Sequence, residues 1–254
     1  MKHIKLFETV AAFDAVRTTL DLPNVSLIEA TNGVNYLPYV ASDQSNVHEY
    51  VEIGGIKWAT MNVGANSITD YGLYFQWGDT QGYTASQVGS GEGQKYFGWA
   101  DYKYGNGTNI PGATGMTKYN STDGKTVLDA SDDAVQAAWG GSWRMPTTAE
   151  YTALGNAVNT AWTADYQGSG VAGLVLTDKT DSSKVLFFPA AGYCYDGSVL
   201  DVGSDGRYWS SSVFGSNLQR AYILFFLSST VGWQDYYTRC RGLAVRGVLD
   251  DSNS

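Results

Sequence analysis

The segment from Arg207 to Arg246 most restricts what this chain can fold into, because it alternates short apolar runs with serines, glycines and aromatic residues. Within it, residues 221–238 predict a strand, a turn and an aromatic loop. Tyrosine, tryptophan and small polar residues together are typical of binding surfaces, since rigid rings supply contact area at low entropic cost. The segment contains no recognisable catalytic group and is predicted to contact another molecule.

The composition of the chain argues against several classes of partner. Its 254 residues allow one large domain, or one domain with a small appendage. A formal net charge of −9 argues against nucleic acid, whose phosphates require a basic surface. No apolar run approaches the ~20 residues of a membrane span. The N-terminus lacks the apolar core of a signal peptide, so exposure outside a cell is expected to need another route.

Few residues suited to nucleophilic or metal chemistry occur in the sequence. Cys194 and Cys240 could form one bridge, but two free thiols are favoured because a secreted disulfide scaffold would carry more cysteines. The histidines are His3 and His48, so a zinc site or a Ser-His-Asp triad would depend on one of them. We therefore predict no catalytic residues, no metal site and no cofactor, and the chain is not expected to be an enzyme.

Residues 1–47 are predicted to form a separate unit. Thr9 is suited to cap a short helix that Pro23 would end. Two short apolar runs then flank Asn32-Gly33, which signals a two-residue hairpin turn because both of its central positions need positive φ. A helix with one hairpin is too small to be very stable alone. The unit is therefore predicted to dock on a larger body, with residues 41–46 as the linker.

Residues 48–250 show no second boundary, and their pattern mixes two helices with short strands. Residues 80–125 are rich in Gly, Asn, Thr, Ser and Tyr and predict long surface loops. Ser131 is predicted to cap a helix that ends at Gly140, and Thr147 begins a capping box for the next helix. Strands are predicted at 51–63 (a hairpin), 185–188, 207–211, 222–228 and 243–248. The fold class is therefore α+β.

Short motifs that occur in a fixed order along residues 50–250 resemble a known family. They are Ile56–Gly64, Tyr71–Asp79, Asp132–Ala134, Trp139–Thr147, Phe188–Gly192, Tyr208–Ser211 and Ala244–Arg246. The series resembles surface-protein domains of gut bacteria and their phages that adopt the C-type lectin fold of the formylglycine-generating-enzyme type. Residues 207–248 also resemble the variable region of diversity-generating retroelement target proteins, in which an error-prone reverse transcriptase rewrites adenine positions. Residues 1–47 are similar to the start of gut-phage proteins.

The resemblance implies a C-type lectin scaffold with two helices, short antiparallel strands and long Gly-rich loops, which displays a hypervariable surface. The implied function is a receptor or adhesin that binds a protein or glycan on a host cell, from a phage tail or a cell surface. Residues 1–47 would then join other virion or surface-assembly subunits. Two alternatives stay open: a structural virion protein without diversified binding, and an oxidase of the formylglycine-generating type, for which no matching cysteine pair is found.

The resemblance places the ligand-binding residues in the variable segment. They are Val213, Phe214, Asn217, Leu218, Arg220, Ile223, Phe225, Leu227, Thr230, Gly232, Trp233, Asp235, Tyr236, Tyr237, Thr238 and Arg241. Mutating the adenines of Asn codons cannot give Trp, so Trp233 would be fixed by the template. In a strand Ile223, Phe225 and Leu227 share one face, which is predicted to point outward. The alternative is a central strand that is buried on both faces.

Two further groups of residues have both a structural and a functional interpretation. The three aspartates within residues 129–133 could bind calcium, but complementing the dipole at a helix start is favoured. The motif Trp139–Arg144 could form a cation–π cage for a ligand, but packing is favoured because the resemblance makes this motif part of the scaffold. Trp209 and Arg246 are assigned to the scaffold for the same reason.

Overall fold

The computed structural model describes residues 48–106 and 115–250, together with the backbone of two short strands nearer the N-terminus. The chain divides into two units, Met1–Val47 and His48–Ser254. The predicted helix that begins at Thr9 lies outside the described residues, and so does the predicted linker. Within the described residues, no helix is long and apolar enough to cross a membrane.

The first unit contains an antiparallel pair of short strands. They are β1 (Ile28–Glu29) and β2 (Asn35–Tyr36). Their register places Glu29 opposite Asn35. The predicted pair of strands is therefore present, whereas the predicted turn at Asn32-Gly33 lies outside the described residues.

In its described residues, the second unit contains four small antiparallel sheets and two α-helices. Its strands are β3 (Tyr50–Ile53), β4 (Ile56–Asn62), β5 (Trp143–Arg144), β6 (Val158–Thr163), β7 (Gly173–Asp178), β8 (Val185–Pro189), β9 (Tyr193–Tyr195), β10 (Ser198–Leu200), β11 (Asp205–Val213), β12 (Arg220–Leu227), β13 (Thr230–Thr238) and β14 (Arg246–Leu249). Its helices are α1 (Ala134–Trp139) and α2 (Thr148–Ala157). The strands pair in the orders β3-β4-β14-β5, β6-β7-β8, β9-β10 and β11-β12-β13. This content confirms the α+β class.

Both predicted helices are present, and their N-caps show how the sequence specifies them. The Thr147 hydroxyl accepts a hydrogen bond from the Glu150 N–H, and the Glu150 carboxylate accepts one from the Thr147 N–H, which confirms the capping box of α2. Helix α1 begins later than predicted, because Asp133 rather than Ser131 is its cap and accepts from the Val135 N–H. A carboxylate also complements the positive end of the helix, which a serine hydroxyl does not.

The long connection after β4 lies deeper in the protein than predicted. Residues 80–106 and 115–125 contain short 3₁₀ turns and isolated bridges rather than strands or α-helices. The rings of Phe97 and Tyr102 are nevertheless buried, and the Tyr102 hydroxyl donates to the Trp77 carbonyl oxygen at 2.9 Å. The prediction of surface loops is therefore wrong for these aromatic residues, since buried rings with a satisfied hydroxyl contribute a large apolar area to the core.

The predicted strands are present in the structure, but several of its strands were not predicted. Predicted strands are confirmed as β3 with β4, β8, β11 and β12, and β14 begins at Arg246 rather than at 243. Residues 230–238, predicted as an aromatic loop, form β13 instead. Gly232 and Asp235 have low strand propensity, but pairing with β12 supplies the hydrogen bonds that hold this strand. Strands β6 and β7 were not predicted.

The core of the second unit consists of two hydrophobic clusters, and β12 lies between them. Leu224 and Phe226 of β12 belong to the first cluster, whereas Ala221 and Ile223 belong to the second, which also contains Trp209. The prediction that Ile223 points outward is wrong, because its side chain is only 2% exposed. The middle of this central strand is buried on both faces, since each face packs against a different cluster.

The motif from Trp139 to Arg144 is packed against its neighbours. The rings of Trp139 and Trp143 are buried and meet edge to face with 5.2 Å between their centroids. The Arg144 guanidinium donates to both carboxylate oxygens of Glu150, at 2.9 and 2.7 Å. These contacts agree with a packing role for the motif, because its rings contact each other and its cation is paired with a carboxylate.

Candidate functional site

The residues predicted to bind ligand lie along the sheet β11-β12-β13 and in the turn between β11 and β12. The structure does not bring all of them to one surface. Val213 and Ile223 are 5% and 2% exposed and belong to the second hydrophobic cluster, so their assignment to a ligand-binding surface is wrong. The others are half-buried or exposed, and most of them fall into three groups.

The first group is an arginine–tyrosine cluster, formed by Tyr193, Tyr195, Arg207, Tyr237 and Arg241. The guanidinium carbon of Arg207 lies 4.1 Å from the ring centroid of Tyr193 and 4.3 Å from that of Tyr237. The guanidinium carbon of Arg241 lies 3.9 Å from the ring centroid of Tyr195 and 4.6 Å from that of Tyr237. The Tyr237 ring therefore contacts both cations, within the ~6 Å range of a cation–π interaction.

Strands β9, β11, β12 and β13 position this cluster. Tyr193 and Tyr195 alternate along β9, so their side chains lie on the same face of that strand. Arg207 of β11 is paired in register with Phe225 of β12, and the Phe225 ring centroid lies 5.3 Å from the Arg207 guanidinium carbon. The rings of Tyr193 and Tyr237 meet edge to face at 5.4 Å and connect β9 with β13. Regular strands therefore hold the cluster except for Arg241, which lies in the bend that follows β13.

The two arginines of the cluster differ in their charge environment. Nε and Nη2 of Arg207 donate to Oδ2 of the buried Asp205 at 3.1 and 2.7 Å, so a carboxylate balances this cation. Nη1 of Arg241 donates to the Tyr237 hydroxyl at 2.6 Å. Among the described residues, the arginine ion pairs are those of Arg144 and Arg207, and none involves Arg241. Burial raises the pKa of Tyr237 to about 12, so its hydroxyl is neutral and leaves the Arg241 charge unbalanced.

The second group is an aromatic cluster formed by Phe214, Arg220, Tyr222 and Tyr236. The rings of Phe214 and Tyr236 stack with centroids 4.1 Å apart, and Phe214 meets Tyr222 edge to face at 5.3 Å. The Arg220 guanidinium carbon lies 4.9 Å from the Tyr236 ring centroid. Tyr222 shares a face with the buried Leu224, but it is only half-buried because that face leaves the core at this end of β12.

The third group surrounds the turn between β12 and β13. Leu227 and Thr230 are exposed there, and they line a concavity of ≈ 370 Å³ together with Trp162 and Trp233. The Trp233 ring covers Gly155 of α2, where a Cβ atom would lie 2.6 Å from the indole. Trp233 is therefore held against the helix and has a packing role in addition to its accessible edge.

The remaining predicted residues shape the backbone near these groups. Asn217 Oδ1 accepts from the Gln219 N–H at 3.0 Å within the β11–β12 turn. Asp235 Oδ1 accepts from the Tyr236 N–H at 2.8 Å, and Leu218 packs against the second hydrophobic cluster. The last two of the predicted set are half-buried positions of β13, Gly232 and Thr238.

Three members of the arginine–tyrosine cluster were not in the predicted site: Tyr193, Tyr195 and Arg207. The Tyr-Cys-Tyr alternation at residues 193–195 was the available signal, because it places two tyrosines on the same face of a strand. Strand β9 lies outside the segment that resembles a variable region, so the resemblance gave no reason to consider it.

The cysteines and acidic residues were the other candidates for chemistry. Cys194 and Cys240 are both free and buried, so the alternative of a bridge is excluded. Burial raises the pKa of the Cys194 thiol and raises that of Cys240 to about 12, which is opposite to the shift that activates a cysteine. Within the part of the chain that the structure describes, no group of three or more His, Cys, Asp or Glu side chains could hold a metal ion.

Asp132, one of the three aspartates before α1, fixes lysines and a tyrosine of the preceding connection. It is 5% exposed and accepts hydrogen bonds from Lys118, from Lys103 Nζ at 3.2 Å and from the Tyr119 hydroxyl at 2.6 Å. Burial alone would raise the pKa of Asp132, but these hydrogen bonds outweigh it and hold the pKa well below its usual range. The charged carboxylate therefore stabilises the fold.

Replacing Asp132 by asparagine is expected to lower the free energy of unfolding at neutral pH by about 2 kcal/mol, because charge-assisted hydrogen bonds are lost. The pKa of Asp132 is lower in the folded protein than in the unfolded chain. The contribution of this carboxylate to stability is therefore complete above about pH 4 and is lost as the pH falls further. Urea unfolding measured between about pH 5 and pH 2 checks this prediction. The difference in unfolding free energy between wild type and variant should become smaller as the pH falls. Asp129→Asn is the control, because that carboxylate also pairs with Lys118 but is 36% exposed. Equal losses of unfolding free energy in the two variants would contradict the stabilising role of Asp132.

Comparisons of the chain with known protein families, with curated proteins and with solved structures found no match. The residues of the site are therefore the basis for inferring its function. Its accessible side chains are aromatic rings, guanidinium groups and short polar groups, which suit non-covalent recognition.

Proposed function

We propose that residues 48–250 form a ligand-binding module that recognises a partner through the exposed parts of the sheet β11-β12-β13. The observation that carries this proposal is the arginine–tyrosine cluster, which presents tyrosine rings packed against two guanidinium groups. Tyrosine and arginine dominate the energetics of binding surfaces. Rings that are already packed against neighbouring side chains lose little conformational entropy when a ligand binds, so their contact area is converted efficiently into affinity.

The scaffold that we propose is a C-type lectin fold of the formylglycine-generating-enzyme type, and the surface is a diversified region of the retroelement kind. Support for this proposal comes from β12, in which core residues alternate with accessible ones. Leu224 and Phe226 of β12 are buried, whereas Phe225 and Leu227 between and beyond them are accessible. In such a strand the accessible side chains can change, while the buried side chains between them keep the core packed.

The partner in this proposal is a protein or glycan on a host cell. The module would act from a phage tail or from a cell surface, and residues 1–47 would join it to other subunits of that assembly. The support is the resemblance of the motifs.

Deep sequencing of this gene in its source population, with its flanking DNA, tests the proposal. We expect substitutions at the accessible codons of the two clusters, those for Phe214, Arg220, Phe225, Tyr236, Tyr237 and Arg241. The codons of buried residues in the same strands, including Ile223, Leu224 and Phe226, are expected to stay constant, because changing them would cost stability. A reverse-transcriptase gene and a template repeat with adenines at the variable positions should lie nearby.

Two outcomes would contradict the proposal. A uniform sequence without a neighbouring reverse transcriptase would remove diversification and favour a structural surface protein. Substitutions spread evenly over buried and accessible codons would show that the accessible side chains are not selected for binding. The buried codons of β12 are the internal control, because they experience the same template copying as their accessible neighbours.

A further inference from the structure

Arg241 is the arginine of the arginine–tyrosine cluster that pairs with no carboxylate among the described residues. Both arginines of the cluster contact the Tyr237 ring, but only Arg207 is paired with a carboxylate, that of Asp205. Arg241 donates to the neutral Tyr237 hydroxyl, and its buried Nε has no hydrogen-bond acceptor. A half-buried guanidinium without a counter-charge has lost part of its hydration, and a bound anion would compensate for that loss.

The rings around Arg241 restrict the shape of the group that can bind there. The ring centroids of Tyr195 and Tyr237 lie 3.9 and 4.6 Å from the guanidinium carbon, Nη1 donates to the Tyr237 hydroxyl and Nε is buried, so the Nη1–Nη2 edge is the part that can donate to a ligand. A planar guanidinium edge matches the paired oxygens of a carboxylate or sulfate group. Tyr195 is 37% exposed, so part of its ring is available to an adjoining flat, apolar surface.

We propose that Arg241, with Tyr195 and Tyr237, binds the carboxylate or sulfate group of an acidic sugar residue. The inference rests on the proposed function and names the ligand class of the same surface. An acidic sugar carries a single negative group beside a flat ring face, which fits one unbalanced guanidinium next to an exposed tyrosine. A peptide with many acidic side chains fits less well, because the chain has a net charge of −9 and would repel it.

A single cation can select an anionic ligand even on a protein with a net charge of −9. At physiological ionic strength, salt screens the repulsion between a bound anion and carboxylates more than about 8 Å away. It does not screen the direct contact of that anion with Arg241. The site is therefore expected to discriminate at short range and not to attract anions from afar. Because Arg241 lies in the segment proposed to be diversified, the preference for an acidic sugar would belong to this particular sequence.

Binding of the full chain to an array of sialylated, uronic-acid and sulfated oligosaccharides, each beside its neutral parent, tests the proposal. We expect at least one acidic oligosaccharide to be retained more strongly than its parent. The variant Arg241→Gln should weaken that binding by about 10-fold or more, since a charge-assisted hydrogen bond is lost. Arg241→Lys should restore part of it, because the charge remains but the planar edge does not. The carboxylate and sulfate arms of the array distinguish the two anions.

Lys179→Gln is the control, because it removes one exposed positive charge after β7, outside the sheet β11-β12-β13, and should leave the binding unchanged. A thermal melt confirms that each variant is folded. Equal retention of acidic and neutral oligosaccharides, unchanged binding by Arg241→Gln, or Arg241-dependent binding of polyglutamate but of no sugar would each overturn the inference. None of these results would affect the sequencing test, so a failure of the ligand assignment is distinguishable from a failure of the proposed function.

Discussion

Replacing Arg246 by methionine is expected to cost about 4 kcal/mol or more of stability, enough to unfold much of a marginally stable domain. The Arg246 side chain is fully buried and donates to Asn62 Oδ1 at 2.9 Å, to the Ala59 carbonyl at 2.9 Å and to the Phe187 carbonyl at 3.0 Å. It thereby connects β14 with β4 and β8. Methionine fills a similar volume but leaves three buried acceptors without a donor, and each unsatisfied acceptor costs about 1–3 kcal/mol.

Urea unfolding followed by circular dichroism measures this loss, with Arg220→Met as the matched control. Arg220 is half-buried at the first residue of β12, and its guanidinium carbon lies 4.9 Å from the Tyr236 ring centroid. The same substitution there is expected to change the unfolding free energy by about 0.5 kcal/mol, as is usual for surface positions. Similar losses in the two variants would show that Arg246 is not the anchor that its hydrogen bonds indicate.

The parts of the fold that could be predicted are those that neighbouring residues determine. Thr147 specifies the start of α2 through a capping box that involves only the first turn of the helix. Gly54 and Gly55 both have positive φ and turn the chain between β3 and β4, within the predicted hairpin. The apolar run of β12 predicted a strand correctly for the same reason.

The parts that could not be predicted depend on partners distant in sequence. β13 contains glycine and acidic residues and is a strand because β12 lies beside it. The burial of Ile223 could not be read from its alternation with Leu224, because both faces of β12 meet a hydrophobic cluster. Strand periodicity indicates which side chains share a face, but it does not indicate what covers that face.

The candidate site was predicted only in part, because some of its residues come from strands that are distant in sequence. The resemblance placed Tyr237 and Arg241 in a variable segment, and they meet in the arginine–tyrosine cluster. It could not indicate Tyr195 or Arg207, which reach the same cluster from β9 and from the N-terminal half of β11. Nor could sequence alone show that Asp205 balances one arginine and leaves the other unbalanced.

Replacing Trp209 by alanine is expected to cost about 3–5 kcal/mol, as the truncation of a large buried ring usually does. Trp209 is fully buried in the second hydrophobic cluster, and its indole N–H donates to the Phe75 carbonyl oxygen at 2.8 Å. It lies in β11 and is paired in register with Ile223 of β12, within the sheet that carries both surface clusters. The substitution therefore removes a ring together with one buried hydrogen bond and loosens the support of the binding surface.

Thermal and urea unfolding of Trp209→Ala, compared with Trp99→Ala and Tyr236→Ala, separates scaffold from surface. Trp99 packs against the same hydrophobic cluster but is only partly buried, so its loss should cost distinctly less. Tyr236 is 38% exposed, and its removal should leave stability nearly unchanged. If Tyr236→Ala were as destabilising as Trp209→Ala, the aromatic residues of this sheet would serve the fold rather than a ligand. The expected ranking would instead mean that the exposed rings contribute little to folding and remain available for recognition.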